Sequence, residues 1–180
     1  MIDGKSVKSE RGNALDDIKE KAEFFRIGLI LGVHTVSDVV EWADSEIQHQ
    51  DKPPNIFIEL SLMGNSGSAD VRTKLNEFPG TVDKSKVLHK ILSKLLEPMY
   101  HELAQHPEYG PTLAERLYKI YLALEQEFGH FNVPRDLYPM LVLNDQYRLA
   151  QQGTYGTEQG VLQDFLTFLK PYGENPNHFF

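Results

Sequence analysis

Residues 84–99 repeat apolar side chains at the three- and four-residue spacing of an α-helix. The apolar positions are Val87, Leu88, Ile91, Leu92, Leu95, Leu96 and Met99. A face covering about half of a helix is stable only when other elements bury it, so this segment requires a fold in which helices pack together. Asp83 stands where a helix N-cap is expected, and Pro98 is expected to kink this helix or end it near Leu96.

Helical patterns continue along most of the chain. They predict further helices over 13–31, 35–49 and 69–78, one from Gly110 to Gly129 and one over 137–149, and a last helix capped by Thr157 and ending before Pro171. Thr35 and Asp38 have the spacing of a capping box at the start of the second of these helices. The broad apolar stripe within 113–128 marks the candidate central helix. Residues 56–63 suit either a buried strand or a short helix. We favour the helix because Pro54 suits a first turn and no second strand is available for pairing.

Seven or eight such helices, with no alternating strand pattern, predict an all-α fold. We expect a single compact domain of helices joined by short turns, arranged as an orthogonal or irregular bundle. The predicted organisation is a flexible leader at 1–12, a helical domain at 13–172 and a tail at 173–180. No repeat of roughly 34 residues is visible, which leaves a tetratricopeptide-like solenoid as a minor alternative.

Composition restricts the chemistry that this chain can carry. The absence of cysteine excludes disulfides, thiolate zinc sites and iron–sulfur clusters. The net charge of −8 repels phosphate backbones, so we expect no direct binding to DNA or RNA. The chain has neither a membrane-spanning apolar run nor a secretory signal, which predicts a cytoplasmic protein without membrane contact.

No motif in the sequence matches a known catalytic signature. His101 and His106 resemble the histidines of a zinc protease helix, but their five-residue spacing separates them by about 140° around the axis. Glu97 and His101 are one turn apart, and a solvated pair explains them without a metal. The loop 64–70 is rich in glycine and serine but lacks the lysine of a phosphate-binding loop. We therefore assign no catalytic, metal-binding or cofactor-binding residue and expect no cofactor, which favours a protein that is not an enzyme.

The only tryptophan lies away from the apolar face of the helix predicted over 35–49. Trp42 points about 100° from the centre of that face, toward acidic neighbours. One interpretation buries it beneath another helix or the C-terminal Phe179 and Phe180. The other makes it an exposed anchor for a basic protein. On the second interpretation the predicted partner-binding residues are Asp38, Glu41, Trp42, Glu46 and Asp51.

Three functions are compatible with these observations. The first is a non-catalytic protein-binding helical domain, for example an inhibitor or immunity-type protein that presents acid to a basic partner such as a nuclease. The alternative is an enzyme or small-ligand-binding protein with a pocket near Tyr118, Tyr121 and His130. A third is a subunit of a homo-oligomer in which a second copy covers 113–128. An exposed Trp42 over a solid core would favour the first, and a cavity holding a group with a perturbed pKa would favour the second.

Overall fold

The computed structural model describes the backbone of residues 4–129 and 132–174, and the side chains of those ranges from Leu15 onward. The all-α prediction is confirmed, because the described residues form eight α-helices and no strand. The helices are α1 (Gly4–Leu31), α2 (Val36–Gln48), α3 (Asn55–Ser61), α4 (Ser68–Asn76), α5 (Lys84–Gln105), α6 (Gly110–Phe128), α7 (Pro139–Gln151) and α8 (Glu158–Glu174). Short 3-10 turns, Pro107–Tyr109 and Arg135–Leu137, precede α6 and α7.

The helices group into two compact units, Met1–Ile91 and Leu92–Phe180, which divide within α5. In the N-terminal unit, α2 packs against α3, α1 packs against α4, and α3 also contacts α4. In the C-terminal unit, α6 packs against α7 and α7 packs against α8.

The core of the N-terminal unit contains four aromatic side chains among its ten buried members. Its buried members are Ala22, Phe25, Val39, Trp42, Ala43, Phe57, Leu60, Val71, Leu75 and Phe78. They come from all four of the helices α1 to α4 and from the segment after α4. Short helices such as α3 and α4 are marginal in isolation, so this shared core is what stabilises them.

The ambiguous segment 56–63 is helical up to Ser61, which confirms the choice of helix over strand, and residues 62 and 63 form a turn. Phe57 and Leu60, three residues apart, are fully buried, whereas Ile58 and Leu62 are exposed. A strand would have placed Ile58, Leu60 and Leu62 on one face. Pro54 provides the N-cap position with an extended backbone, which agrees with the predicted role of this proline at the helix start.

Several helix ends differ from the prediction. Helix α1 begins at Gly4 rather than Asn13, so residues 4–12 of the predicted leader are helical, while residues 1–3 lie outside the described part of the chain. This stretch contains no proline and several good helix formers, among them Lys5, Lys8 and Arg11. Most of the predicted tail, residues 175–180, also lies outside the described residues.

Two prolines that were expected to end helices lie inside them. Helix α5 continues through Pro98 to Gln105, and α8 continues through Pro171 to Glu174. A proline removes one hydrogen bond from a helix. In α5 this loss is offset because Leu96 and Met99 are buried on either side while Pro98 is exposed to solvent. Of the two outcomes expected at Pro98, a kink or a helix end near Leu96, the helix end was therefore wrong.

The caps follow the sequence more closely. The side chain of Asp83 accepts a hydrogen bond from the backbone N–H of Lys86 at 3.1 Å, and that of Thr157 accepts one from Gly160 at 3.1 Å. Both predicted caps are thereby confirmed. Helix α6 ends at Gly129, whose φ of +83° suits glycine, also as predicted.

The apolar stripe of α6 is buried within the single chain. Leu113, Leu117, Tyr121 and Leu124 are all buried, and α6 packs against α7. Packing within the chain therefore buries these four residues, while Ile120 and Phe128 of the same stripe are half-buried. Leu122, on another side of the helix, is partly exposed.

Candidate functional site

Trp42 belongs to the core of the N-terminal unit and is only 6% exposed. Its ring stacks on Phe25 with centroids 5.1 Å apart, meets Phe57 edge-on at 5.3 Å and contacts Phe78 at 5.5 Å. The prediction that Trp42 is an exposed anchor was therefore wrong, and the alternative that it packs beneath other helices is confirmed. The C-terminal Phe179 and Phe180 lie outside the described residues.

The acidic neighbours of Trp42 explain how its ring can be buried. The indole Nε1 donates a hydrogen bond to Oε1 of Glu46, one turn later, at 3.1 Å. Oε2 of Glu46 also accepts a hydrogen bond from Gln50 at 3.3 Å. Because the polar edge of the indole is satisfied within the helix, its apolar surface can pack into the core. Glu46 therefore serves the fold, and the four-residue Trp–Glu spacing was the sequence signal for this role.

Asp38 also has a structural role, as part of the predicted capping box. Its Oδ2 accepts a hydrogen bond from the backbone N–H of Thr35 at 2.7 Å. In return, the Thr35 hydroxyl oxygen accepts one from the N–H of Asp38 at 3.3 Å. The hydrogen bonds from Thr35 hold the pKa of Asp38 below its ordinary value. Asp38 is consequently engaged in starting α2.

The two remaining predicted residues, Glu41 and Asp51, are exposed, and Asp44 is exposed beside them in sequence. We call these three residues the acidic surface. Within the described ranges none of the three forms an ion pair with a lysine, arginine or histidine. Helix α2 itself contains four acidic residues and no lysine or arginine.

Four other carboxylates of the N-terminal unit have cationic partners, whereas Asp17 and Asp70 are exposed and form no ion pair with a described residue. The ion pairs are Glu20 with Lys90 at 3.4 Å, Glu23 with Arg26 at 2.7 Å, and Lys74 with Glu59 at 2.6 Å and Glu77 at 2.8 Å. The acidic surface therefore differs from these four carboxylates, because no described lysine, arginine or histidine forms an ion pair with it.

Two exposed apolar residues on α3 and the turn after it were missed by sequence reasoning. Leu62 is 81% exposed and Ile58, one turn earlier, is 41% exposed. Helix α3 packs directly against α2, which carries Glu41 and Asp44. Only the helical assignment of 56–63 could have revealed these residues, because it separates them from the buried Phe57 and Leu60.

A buried ion pair lies in α1. Arg26 is 3% exposed and Glu23 is 1% exposed, and two hydrogen bonds of 2.8 and 2.7 Å join them. Burial alone would raise the pKa of Glu23, but the hydrogen bond and charge of Arg26, with smaller effects of Lys84 and Lys19, lower it overall. Each charge satisfies the other, so removal of either partner alone would leave a buried charge without compensation.

The C-terminal unit contains a cleft with a volume of about 390 Å³ at the start of α6 and the facing parts of α7 and α8. Its lining includes Tyr147 together with Glu108 and Glu158, and we call it the Tyr147 cleft. This cleft does not coincide with the pocket predicted around Tyr118 and Tyr121. Neither residue lines the cleft, and Tyr121 is buried in the core. His130, the third residue of that prediction, lies outside the described residues.

Tyr147 combines deep burial with an unsatisfied polar atom. The residue is 3% exposed, and its hydroxyl oxygen has no hydrogen-bond partner in the described structure. Burial, assisted by the negative charge of Glu158, raises the pKa of Tyr147 to about 12. The hydroxyl lies against Gly110, where a Cβ atom would overlap with it. A glycine is thus required at the first residue of α6 for the tyrosine to occupy this position.

The remaining motifs bring no reactive groups together. His101 is exposed, and the described residues contain no cluster of three or more histidines and carboxylates able to hold a metal ion. In the loop before α4, Gly67 rather than Ser68 occupies the N-cap position, and it provides no side-chain hydrogen bond. Ser68 is therefore the first residue of α4, which begins one residue earlier than the helix predicted over 69–78.

None of the described helices combines the length and apolarity needed to cross a membrane. In comparisons with known proteins, the chain matches no family, no curated protein and no solved structure.

Proposed function

We propose that this protein binds a basic protein partner through the acidic surface of its N-terminal unit. The observation that carries this proposal is that Glu41, Asp44 and Asp51 are exposed and have no ion-pair partner among the described residues. A cationic partner can approach these carboxylates without breaking an existing ion pair. The new ion pairs therefore add to the binding free energy without the loss of earlier ones. The net charge of −8 adds long-range attraction for such a partner.

Because Trp42 is buried, the apolar contact with the partner comes from the exposed residues Leu62 and Ile58 in this proposal. Tight interfaces usually combine a desolvated apolar centre with a charged rim. Helix α2 carries exposed acidic residues, and α3 with the turn after it carries exposed apolar residues. The two helices pack against each other. The inferred role is that of an inhibitor or immunity-type protein, which occupies the basic surface of a partner such as a nuclease and performs no reaction itself.

The test uses the full chain as bait for proteins of its native lysate, followed by titration of any captured partner after purification. The Glu41→Lys/Asp44→Lys variant reverses two charges of the acidic surface. We expect it to weaken the affinity at least about tenfold, because close charge pairs at interfaces contribute that much or more. The affinity of the unmodified protein should also fall as salt is raised.

The matched control is Glu102→Lys/Asp164→Lys, which reverses two exposed carboxylates of the C-terminal unit and changes the net charge equally. Retained binding by this control, with lost binding by the α2 variant, would support the proposal. Equal losses in both variants would reduce the effect to net charge and contradict a specific surface. Circular dichroism of each variant establishes that the comparison is made between folded proteins.

A further inference from the structure

We propose that the Tyr147 cleft binds a small organic cation, an ammonium or guanidinium group on a short apolar stem. This inference concerns the C-terminal unit and does not depend on the acidic surface. The volume of about 390 Å³ lies in the range of small-molecule sites, which is roughly 300 to 1,000 Å³. Pro107, Pro111 and Leu162 provide the apolar part of the lining.

The charges in the lining select a cation. Two carboxylates, Glu108 and Glu158, line the cleft, and no lysine or arginine lines it. Glu158 forms no ion pair with any described residue. Glu108 has one neighbour of variable charge, His106, whose Nδ1 lies 3.2 Å from Oε1. An ammonium or guanidinium group would therefore find at least one carboxylate that is otherwise without a counterion.

The buried hydroxyl of Tyr147 is the second and independent observation. A polar atom that is buried without a protein partner is rare in folded proteins. Tyr147 lines the cleft, so its hydroxyl is a polar group that a ligand there can satisfy. A tyrosine hydroxyl accepts as well as donates hydrogen bonds, so it can accept an N–H from the bound cation. Because the pKa of Tyr147 is raised, the hydroxyl remains protonated at neutral pH and can also donate to an oxygen of the ligand.

The side chain at position 147 is held in place by its surroundings. Its ring meets Phe165 of α8 edge-on at 6.4 Å, and its hydroxyl rests against Gly110 at the start of α6. A group fixed in this way loses little freedom when a ligand binds, which favours binding. The amides of Gln151 and Gln159 line the same cleft and offer further hydrogen bonds.

The experiment titrates the full-length protein with cadaverine and with agmatine, followed by calorimetry and by NMR shifts. The neutral analogue 1,5-pentanediol has a similar length and no charge. We expect saturable binding of at least one cation, shifts centred on the cleft and no binding of the diol. Glu158→Gln and Tyr147→Phe should each weaken the affinity roughly tenfold, the value of one hydrogen bond involving a charged group.

Two variants provide matched controls. Glu102→Gln removes an exposed carboxylate outside the cleft, and Tyr155→Phe removes the hydroxyl of a tyrosine that is 71% exposed. Neither should change the affinity by more than about twofold. Tyr147→Phe removes one oxygen atom and no volume from the ring, so the variant is expected to fold.

The same chemistry could come from a lysine or arginine side chain of a protein. A short peptide containing one arginine, with blocked ends, distinguishes this source from a free amine. Tight binding of the peptide without binding of cadaverine or agmatine would overturn the assignment to a small molecule. Absence of binding by both amines, or equal losses in the cleft variants and their controls, would also overturn the proposal.

Discussion

The two units each bury an amphipathic aromatic residue, but they treat its polar atom differently. In the N-terminal unit the indole N–H of Trp42 donates to Glu46, and three phenylalanines pack around the ring. In the C-terminal unit the hydroxyl of Tyr147 has no partner in the described structure, and a cleft adjoins it. The two aromatic residues are therefore alike in burial and differ in whether the polar atom has a hydrogen-bond partner. This difference is what distinguishes the structural role of Trp42 from the binding role proposed for Tyr147.

The comparison makes opposite predictions for the two residues. Removing a satisfied aromatic residue should destabilise the fold, because packing and a hydrogen bond are both lost. Removing an unsatisfied hydroxyl should leave the fold unharmed or make it more stable, because a buried polar atom without a partner is unfavourable.

The largest effect is expected for Trp42→Ala. We expect the free energy of unfolding to fall by about 4–5 kcal/mol, because a large cavity opens among Phe25, Phe57 and Phe78 and the carboxylate of Glu46 loses its indole partner. Urea unfolding followed by circular dichroism measures this change. The control Leu62→Ala, at a residue that is 81% exposed, should change it by less than about 0.5 kcal/mol. Similar values for the two variants would contradict the structural role of Trp42.

The next effect concerns the buried charges of α1. Arg26→Met leaves the carboxylate of Glu23 buried without its partner, and we expect a loss of about 3–4 kcal/mol at pH 7. In the unmodified protein the pKa of Glu23 is lowered, so its contribution is present above about pH 4.5 and is lost as the pH falls through the lowered value.

In the Arg26→Met variant burial raises the pKa of Glu23. The contribution of Glu23 to the free energy of unfolding then becomes more favourable as the pH falls, the opposite of the unmodified protein. The stability difference between the two proteins should therefore narrow from pH 7 toward pH 4.5. Urea unfolding at several pH values measures this difference. The double variant Glu23→Gln/Arg26→Met, which carries no charge at either position, should lack this narrowing. A difference that stays constant with pH would show that the ion pair is not what Arg26 contributes.

The smallest effect, and the one opposite in sign, is expected for Tyr147→Phe. We expect the free energy of unfolding to rise by about 1 kcal/mol, since the variant no longer buries an unpartnered hydroxyl. Thermal unfolding provides the measurement. Tyr100→Phe is the matched control in the same unit, because its hydroxyl donates to Glu174 at 2.8 Å and the loss of this hydrogen bond should lower the stability slightly. A lower free energy of unfolding in both the Tyr147→Phe and the Tyr100→Phe variant would contradict the distinction drawn between Tyr147 and Trp42.

The fold could be predicted from the sequence where local signals are strong. The helical periodicity of 87–99, the caps at Thr35, Asp83 and Thr157, and the end of α6 at Gly129 were all correctly predicted, because each depends on residues within one or two turns. The ends of α1, α5 and α8 were not. At Pro98, for example, burial of Leu96 and Met99 outweighed the local preference of proline.

The candidate sites were less accessible to sequence reasoning. Glu41 and Asp51 are exposed as the predicted acidic rim requires, but Asp38 and Glu46 are engaged within the fold. Tyr147 was not singled out, because nothing in its neighbouring sequence indicates that its hydroxyl lacks a partner. The hydroxyl of Tyr147 rests against Gly110, which lies 37 positions earlier in the chain.

The sequence by itself determined that the chain is helical, acidic and free of cysteine chemistry, since composition and periodicity are properties of neighbouring residues. The tertiary structure alone decided whether Trp42 is buried, whether Tyr147 is satisfied and which carboxylates keep their charge unpaired. These outcomes depend on residues distant in sequence that meet only after folding, and the packing of α1 with α4 and of α6 with α7 brings such residues together. Local patterns cannot encode such meetings, because the same amphipathic helix can pack against many different neighbours.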